Sequence, residues 1–93
     1  MAHTPIHPGE VLADELQERD LNATALARQL LVPANRITQL SAGERNLTAD
    51  TALQLNRFLG TGPELWMNLQ KAYELRLAEQ ALKEELKQIP RAS

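Results

Sequence analysis

The chain has 93 residues, a formal net charge of −2 and no cysteine. A chain of this length is expected to form one domain, residues 1–93, and without cysteine it has neither disulfides nor thiolate metal sites. The N-terminal sequence lacks the apolar core of a signal peptide, and no apolar run reaches the roughly 18 residues that span a bilayer, so a cytoplasmic location is expected.

Charge is distributed unevenly along the chain. Residues 1–18 contain four acidic residues and no Lys or Arg, whereas residues 19–60 contain five Arg against three acidic residues. Because the net charge is negative, any DNA affinity must come from a local basic patch and from two copies acting together. The acidic residues at the start indicate a second, basic partner, and the candidate docking residues are Glu10, Asp14 and Glu18.

Apolar residues at helical spacing predict five helices and no strands, over residues 8–19, 23–31, 33–41, 49–59 and 63–88. Helix-starting prolines, polar N-caps and helix-ending glycines set the boundaries: Pro8, Pro63, Asn22, Thr48, Gly43 and Gly60. Within the first helix, Val11, Leu12 and Leu16 supply the apolar face.

The most informative segment, residues 22–41, has the pattern of a helix-turn-helix motif. Two short helices each carry an apolar face, and a tight connection at residues 31–33 joins them: Leu26, Ala27 and Leu30, then Ile37 and Leu40. Ala27 is small enough to let two helices cross closely. This geometry would allow the second helix to enter a DNA major groove.

The third helix is the candidate DNA reader. At 100° per residue, Ile37, Leu40 and Ser41 face the domain. The opposite side and one shoulder carry the candidate base-reading residues: Asn35, Arg36, Thr38 and Gln39. Asn and Gln can pair with adenine, Arg with guanine, and a Thr methyl can touch thymine. A solvated polar face is the alternative interpretation of the same residues.

Residues around this helix could position the DNA backbone. Helix N-termini and Arg or Asn side chains bind phosphate. The candidate phosphate-positioning residues are Asn22, Arg28, Arg45 and Asn46. Each of them could also be an ordinary surface residue.

The fourth and fifth helices are expected to close the core. The predicted buried residues are Ala52, Leu53, Leu55, Phe58 and Leu59, followed by Leu65, Trp66, Leu69 and Tyr73. The last helix, about residues 63–88, continues beyond the core that it could cover. Its later apolar residues would form a dimer or partner surface: Leu75, Leu82, Leu86 and Ile89. Alternatively, this helix frays or curls back over the first helix.

The sequence gives little indication of a metal site, an enzymatic site or a phosphate-binding loop. His3 and His7 have no third ligand nearby, so no metal site is expected. Carboxylates four residues apart in the first helix have neither a nucleophile nor a glycine-rich loop beside them, and no phosphate-binding glycine motif is present. We therefore expect neither an enzyme nor a cofactor.

The segments HPGEVLADEL and ALARQLLVPANRITQLSAGERNLTADTALQLNRFLGTGPELWMNLQKAYEL resemble the HigA-type antitoxins, over about residues 5–76. These are lambda-repressor-like, Xre-type helix-turn-helix proteins. The resemblance implies an all-α, five-helix DNA-binding domain with an extended C-terminal helix. It also implies a bacterial antitoxin that binds a HigB-type toxin, a ribosome-dependent mRNA endonuclease, and that represses its own operon as a homodimer on a palindromic operator.

Four positions depart from the family pattern. Leu31 stands where Gly is usual, so the turn is expected to differ; Pro33 replaces a capping Ser, which would make Val32 the cap. Ala34 and Glu44 occupy places often held by Arg and Lys. These changes weaken the DNA-binding signature. Two alternatives therefore remain: a toxin-neutralising protein with little DNA binding, and a stand-alone Xre-type transcription regulator.

Overall fold

A computed structural model of the chain describes residues 4–92, which contain six α-helices and no strand. They are α1 (Pro8–Glu18), α2 (Ala23–Leu30), α3 (Ala34–Ser41), α4 (Ala49–Leu59), α5 (Pro63–Ala81) and α6 (Lys83–Lys87). The predicted all-α class is confirmed. Among these residues no helix is long and apolar enough to cross a bilayer.

The predicted final helix over residues 63–88 is interrupted, which accounts for the sixth helix. Leu82 has φ −104° and ψ 9°, outside helical values. Hydrogen bonding continues across the break, since the Leu82 N–H donates to the Ala78 carbonyl at 2.9 Å and the Leu86 N–H to the Leu82 carbonyl at 2.8 Å. The expectation of one continuous helix is therefore wrong at a single residue that is neither Gly nor Pro.

The start of α1 is fixed by a cap that the sequence interpretation missed. The His7 Nδ1 accepts a hydrogen bond from the Gly9 N–H at 2.8 Å, and the Glu10 carboxylate accepts one from the His7 N–H at 3.1 Å. The buried His7 ring also meets the Tyr73 ring edge-on at 4.8 Å. His7 therefore both caps α1 in a reciprocal capping box with Glu10 and ties the start of α1 to α5.

The core is aliphatic and lies where α1, α2, α3, α4 and the first half of α5 meet. Trp66, at 1% exposure, is the largest side chain in it. Ala27 is buried on α2, which packs against α3, as its small size predicted. The other buried apolar residues are Leu12, Leu16, Leu26, Ile37, Leu40, Leu47, Ala52, Leu55 and Leu59.

Several expected core residues are instead exposed. Leu53, Phe58 and Leu65 face solvent, while Thr51 and Gln70 are buried. The buried face of α4 follows the 3.6-residue period through residues 51, 52, 55 and 59, and position 53 lies roughly opposite to it. An apolar residue on α4 or α5 therefore does not by itself mark the core side. Leu69 and Tyr73 are half-buried.

The turn between α2 and α3 does not differ from the glycine-type turn, which corrects the expectation for Leu31. This residue adopts φ 61° and ψ 40°, the left-handed conformation. The Val32 N–H donates to the Ala27 carbonyl at 3.0 Å and the Leu31 N–H to the Arg28 carbonyl at 3.3 Å. These bonds form a Schellman motif, whose hydrogen bonds offset the cost of a left-handed leucine.

The N-cap of α3 is Pro33, and the expectation that Val32 takes this place is wrong. Pro33 has φ −59° and ψ 143°, and its carbonyl accepts from the Arg36 N–H at 3.1 Å. Val32 packs against the core instead. No side chain caps this end of α3.

Candidate nucleic-acid interface

Helix α3 presents one face to solvent and the other to the core. Ile37 and Leu40 are buried, and Ser41 is half-buried with its hydroxyl donating to the Thr38 carbonyl at 3.2 Å. Asn35 and Thr38 are exposed on the far side. Two of the four candidate base readers are thus fully available for contact, and Gln39 and Arg36 are half-buried beside them.

The Arg36 side chain is directed toward α4. Its Nη1 lies 3.7 Å from the Asp50 Oδ2, which forms an ion pair at the surface. Asp50 also accepts from the Thr48 hydroxyl and from the Thr51 N–H. The Thr48 hydrogen bond, then that of the Thr51 amide, hold the pKa of the Asp50 carboxyl below its usual value, with Arg36 contributing in the same direction.

Asp50 also corrects the expected capping of α4. Thr48 occupies the N-cap position, but its hydroxyl donates to Asp50 and accepts no helix amide. The bond to a first-turn amide is made by Asp50 itself, whose Oδ1 accepts from the Thr51 N–H at 3.0 Å. An acidic residue in the first turn is favoured by the helix dipole.

A shallow hollow of about 440 Å³ lies at this junction of α3 and α4. It is lined by Arg36, Arg45, Asn46, Thr48, Asp50 and Thr51. The hollow thus brings together two of the predicted phosphate contacts and the predicted guanine reader. Its two guanidinium groups could hold a DNA phosphate, and its one carboxylate opposes this.

The loop that carries Arg45 and Asn46 is fixed at both ends. At its start, the Glu44 N–H donates to the Gln39 carbonyl at 2.8 Å. At its end, the N–H of buried Leu47 donates to the Oε1 of buried Gln70 at 2.8 Å. Gln70 was missed in the sequence because a polar residue inside an exposed-looking helix gives no signal of burial.

The other candidate phosphate contacts lie on α2, away from the hollow. Asn22 is the N-cap of α2, as predicted, and its Oδ1 accepts from the Ala25 N–H at 2.7 Å. Arg28 is exposed on the same helix. The Asn22 carbonyl oxygen is therefore occupied, and only its amide NH₂ and nearby backbone can reach outward.

The predicted protein-binding residues are all exposed. On α1 these are Glu10, Asp14 and Glu18, although Glu10 also serves the α1 cap. Every residue from 74 to 92 is exposed, including Leu75, Leu82, Leu86 and Ile89. The alternative in which this segment curls back over α1 is therefore wrong, because such packing would bury it.

Within residues 4–92 no group of three or more His, Cys, Asp or Glu could hold a metal ion. His7 is committed to the α1 cap through its Nδ1. His3, the other histidine considered for a metal pair, lies outside the described residues.

Comparison with models of known protein families gives no match. Virulence-associated protein I of Dichelobacter nodosus is 47% identical over 76 residues, which cover 81% of this chain and 70% of that protein. An addiction module antidote protein of the HigA family from Coxiella burnetii has 45% identity and a TM-score of 0.91, covering 96% of this chain and 99% of that chain.

A second solved relative, the Pseudomonas aeruginosa antitoxin HigA with the higBA promoter, has 39% identity and a TM-score of 0.92 over 97% of this chain and 100% of that chain. The resemblance of residues 5–76 is thereby confirmed over nearly the whole length. The chain belongs to the HigA family of helix-turn-helix antitoxins.

Proposed function

We propose that this chain is the antitoxin of a type II toxin-antitoxin system. It neutralises a HigB-type mRNA endonuclease toxin and represses its own operon by binding DNA as a dimer. One observation carries the proposal. The chain has an outward-facing α3 in a helix-turn-helix frame, and a relative solved with promoter DNA shares that frame at a TM-score of 0.92. The protein itself has no catalytic role in this account and acts in the bacterial cytoplasm, where operator and toxin both are.

The DNA-binding part of the proposal assigns roles around α3. Asn35, Thr38 and Gln39 contact base edges in the major groove. Arg36, engaged with Asp50, lies on the shoulder next to Arg45 and Asn46, and these residues meet the DNA backbone. Asn22 and Arg28 contact phosphates from α2, since the start of this helix offers backbone amides.

Repression requires two copies of α3 on one operator. We assign the dimer surface to the exposed apolar residues of α5, α6 and the segment after them: Leu75, Leu82, Leu86 and Ile89. An exposed apolar row of this length is costly for a monomer, and pairing would bury it. Two-fold symmetry would then place the half-sites about one helical turn, roughly 34 Å, or a multiple of it apart.

Toxin binding is assigned to the acidic face of α1. A nuclease that acts on RNA needs a basic surface, and exposed carboxylates on α1 complement such a surface. Because Glu10 also caps α1, charge reversal at Asp14 and Glu18 tests the toxin surface without disturbing that cap.

Capture of the toxin by Asp14→Lys/Glu18→Lys should fall at least tenfold. The matched control is Glu44→Lys/Glu64→Lys, which reverses two exposed carboxylates elsewhere and should retain capture.

A protein that neutralises the toxin but binds DNA weakly is the second candidate. Asp50 inside the phosphate hollow and exposed Glu44 beside it favour this candidate, since both repel the DNA backbone. A stand-alone regulator without a toxin is the third. Toxin neutralisation and operon repression can be measured separately, so each of the three candidate functions predicts a different combination of the two results.

The deciding experiment expresses the toxin-sized reading frame next to this gene, with and without this chain, in cells that also carry the upstream DNA fused to a reporter. Restored growth together with reporter repression supports the proposal. Restored growth without repression favours the neutraliser. Repression without any effect on growth favours the stand-alone regulator and contradicts the antitoxin assignment.

A further inference from the structure

The exposed face of α3 carries two parallel rows of different chemistry. Ala34 and Thr38, four residues apart, form one row, and Asn35 and Gln39 form the row beside it. Ala34 and Thr38 are both exposed, whereas Pro33 precedes the helix as its N-cap and belongs to neither row. The first row therefore presents two methyl groups, those of Ala34 and Thr38. The second presents side-chain amides.

These two chemistries match the two halves of one kind of base pair. In the major groove, thymine presents a C5-methyl group, which prefers apolar contact. Its partner adenine presents N7 and N6, which suit the carboxamide of Asn or Gln. A row of methyl groups beside a row of amides thus fits A·T pairs, with one row over each strand.

The spacing along α3 agrees with this arrangement. Four residues of α-helix rise about 6 Å. Two base-pair steps rise about 6.8 Å at roughly 3.4 Å each. The pair Ala34–Asn35 and the pair Thr38–Gln39 are therefore in register with two base pairs that are two steps apart.

The same face lacks a group that reads guanine. Arg36 is the one cationic residue in residues 33–41. Its guanidinium lies beside Asp50, on the shoulder next to α4, and its side chain is only 32% exposed. Pro33 and Ala34 give the start of the helix no cation to replace it. The chemistry that remains on the face favours A·T over G·C.

We propose that α3 selects A·T base pairs, and that Ala34 determines specificity by packing against a thymine C5-methyl group. This inference rests on the proposed operator binding and names the sequence class that the operator half-site contains. Ala34, which stands where Arg is often found in the family, here supplies an apolar part of the reading surface.

The test removes single methyl groups from the DNA. The full-length protein is titrated against the duplex immediately upstream of its reading frame, in which one thymine at a time is replaced by deoxyuridine. We expect about a fourfold loss of affinity at one thymine per half-site, and about 15-fold when both symmetric thymines are replaced. Replacement of thymines outside the half-sites should have no effect. Uniform tolerance of deoxyuridine, with unmodified DNA bound tightly, would overturn the inference but not the operator binding.

A variant of Ala34 tests whether this residue makes the contact with the thymine C5-methyl group. In Ala34→Gly, the deoxyuridine penalty at that thymine should disappear, because the partner methyl group is gone. Ala13→Gly, which removes an exposed methyl group from α1, should keep the full penalty. A penalty that persists in Ala34→Gly would remove Ala34 from the specificity set. Failure of wild-type protein to prefer the upstream duplex over random DNA would instead contradict the proposed function itself.

Discussion

The Arg36 guanidinium and the Asp50 carboxylate lie 3.7 Å apart and link the recognition helix to α4. Both groups line the hollow in which we place a DNA phosphate. The pair lies at the surface, its separation is long for an ion pair and the Asp50 side chain is 64% exposed, so it contributes little to folding stability. In the proposed DNA complex its main effect is on binding, because Asp50 lowers the positive potential of the hollow and engages the Arg36 guanidinium.

Asp50→Asn should therefore increase DNA affinity. Asn keeps an oxygen that can accept the Thr51 amide, so α4 retains its start while one negative charge is lost. We expect affinity for upstream and random DNA to rise roughly threefold to fivefold per protomer, because the change acts on phosphate contacts. Fluorescence anisotropy at two salt concentrations measures both. Asp14→Asn makes the same charge change on α1, serves as the control and should leave DNA affinity unchanged. Weaker DNA binding by Asp50→Asn would contradict the prediction and show that the Asp50 carboxylate helps the interface.

Leu31→Gly should stabilise the fold. Leu31 is 91% exposed, so its side chain makes almost no tertiary contact, while its left-handed backbone is costly for any residue with a Cβ. We expect a gain of about 1 kcal/mol, which corresponds to roughly 4–8 °C in Tm for a domain of this size. Leu31→Ala keeps the strain and should stay within about 0.5 kcal/mol of wild type. Equal Tm values for the two variants would show that backbone strain is not the cause.

These residues also show what the sequence can predict. The Asn22 cap and the left-handed Gly43 follow from local chemistry, and the buried face of α3 follows from periodicity, so these three features were predictable. Leu31 was not, because hydrogen bonds in the turn override its conformational preference. Asp50 and Arg36 are 14 positions apart in the sequence, and their pairing depends on how α3 meets α4.

Apolar residues on the later helices were harder to place for a different reason. Leucines occur all around α4 and α5, so the 3.6-residue pattern leaves more than one possible core face. Leu53, assigned to the core from the sequence, faces solvent for this reason. The exposed row beginning at Leu75 was predictable because it continues past the length that the core can cover.

Gly9→Ala should destabilise the protein strongly. A Cβ at this position would lie 1.8 Å from the Leu40 carbonyl oxygen, which is backbone and cannot rotate away. We expect a loss of about 3 kcal/mol or more, since α1 must move off α3. At Gly60, where a Cβ would meet no atom within 4 Å and φ is +71°, the same substitution should cost only about 1 kcal/mol. Chemical denaturation compares the two, and similar losses would contradict the close contact of α1 with α3.

Leu82→Glu/Leu86→Glu should convert the dimer to the 10.4 kDa monomer. Both side chains are exposed, so the substitutions spare the core and place charge on the proposed dimer surface. Light scattering gives the mass, and circular dichroism checks that the helices remain. The matched control, Leu31→Glu/Leu53→Glu, changes two exposed leucines outside that surface and should remain dimeric. A dimer that survives in Leu82→Glu/Leu86→Glu would place the interface elsewhere.

The most direct test of the central claim is an anisotropy titration of the purified protein with its own upstream DNA and with random DNA, repeated for Asn35→Ala/Gln39→Ala. We predict at least about a thousandfold preference of wild-type protein for the upstream DNA. The double variant should lose most of that preference, because each lost amide pair removes discrimination. Gln17→Ala/Asn68→Ala, which truncates exposed amides on α1 and α5, should keep it. Equal binding of wild-type protein to both DNAs would contradict operator recognition by α3.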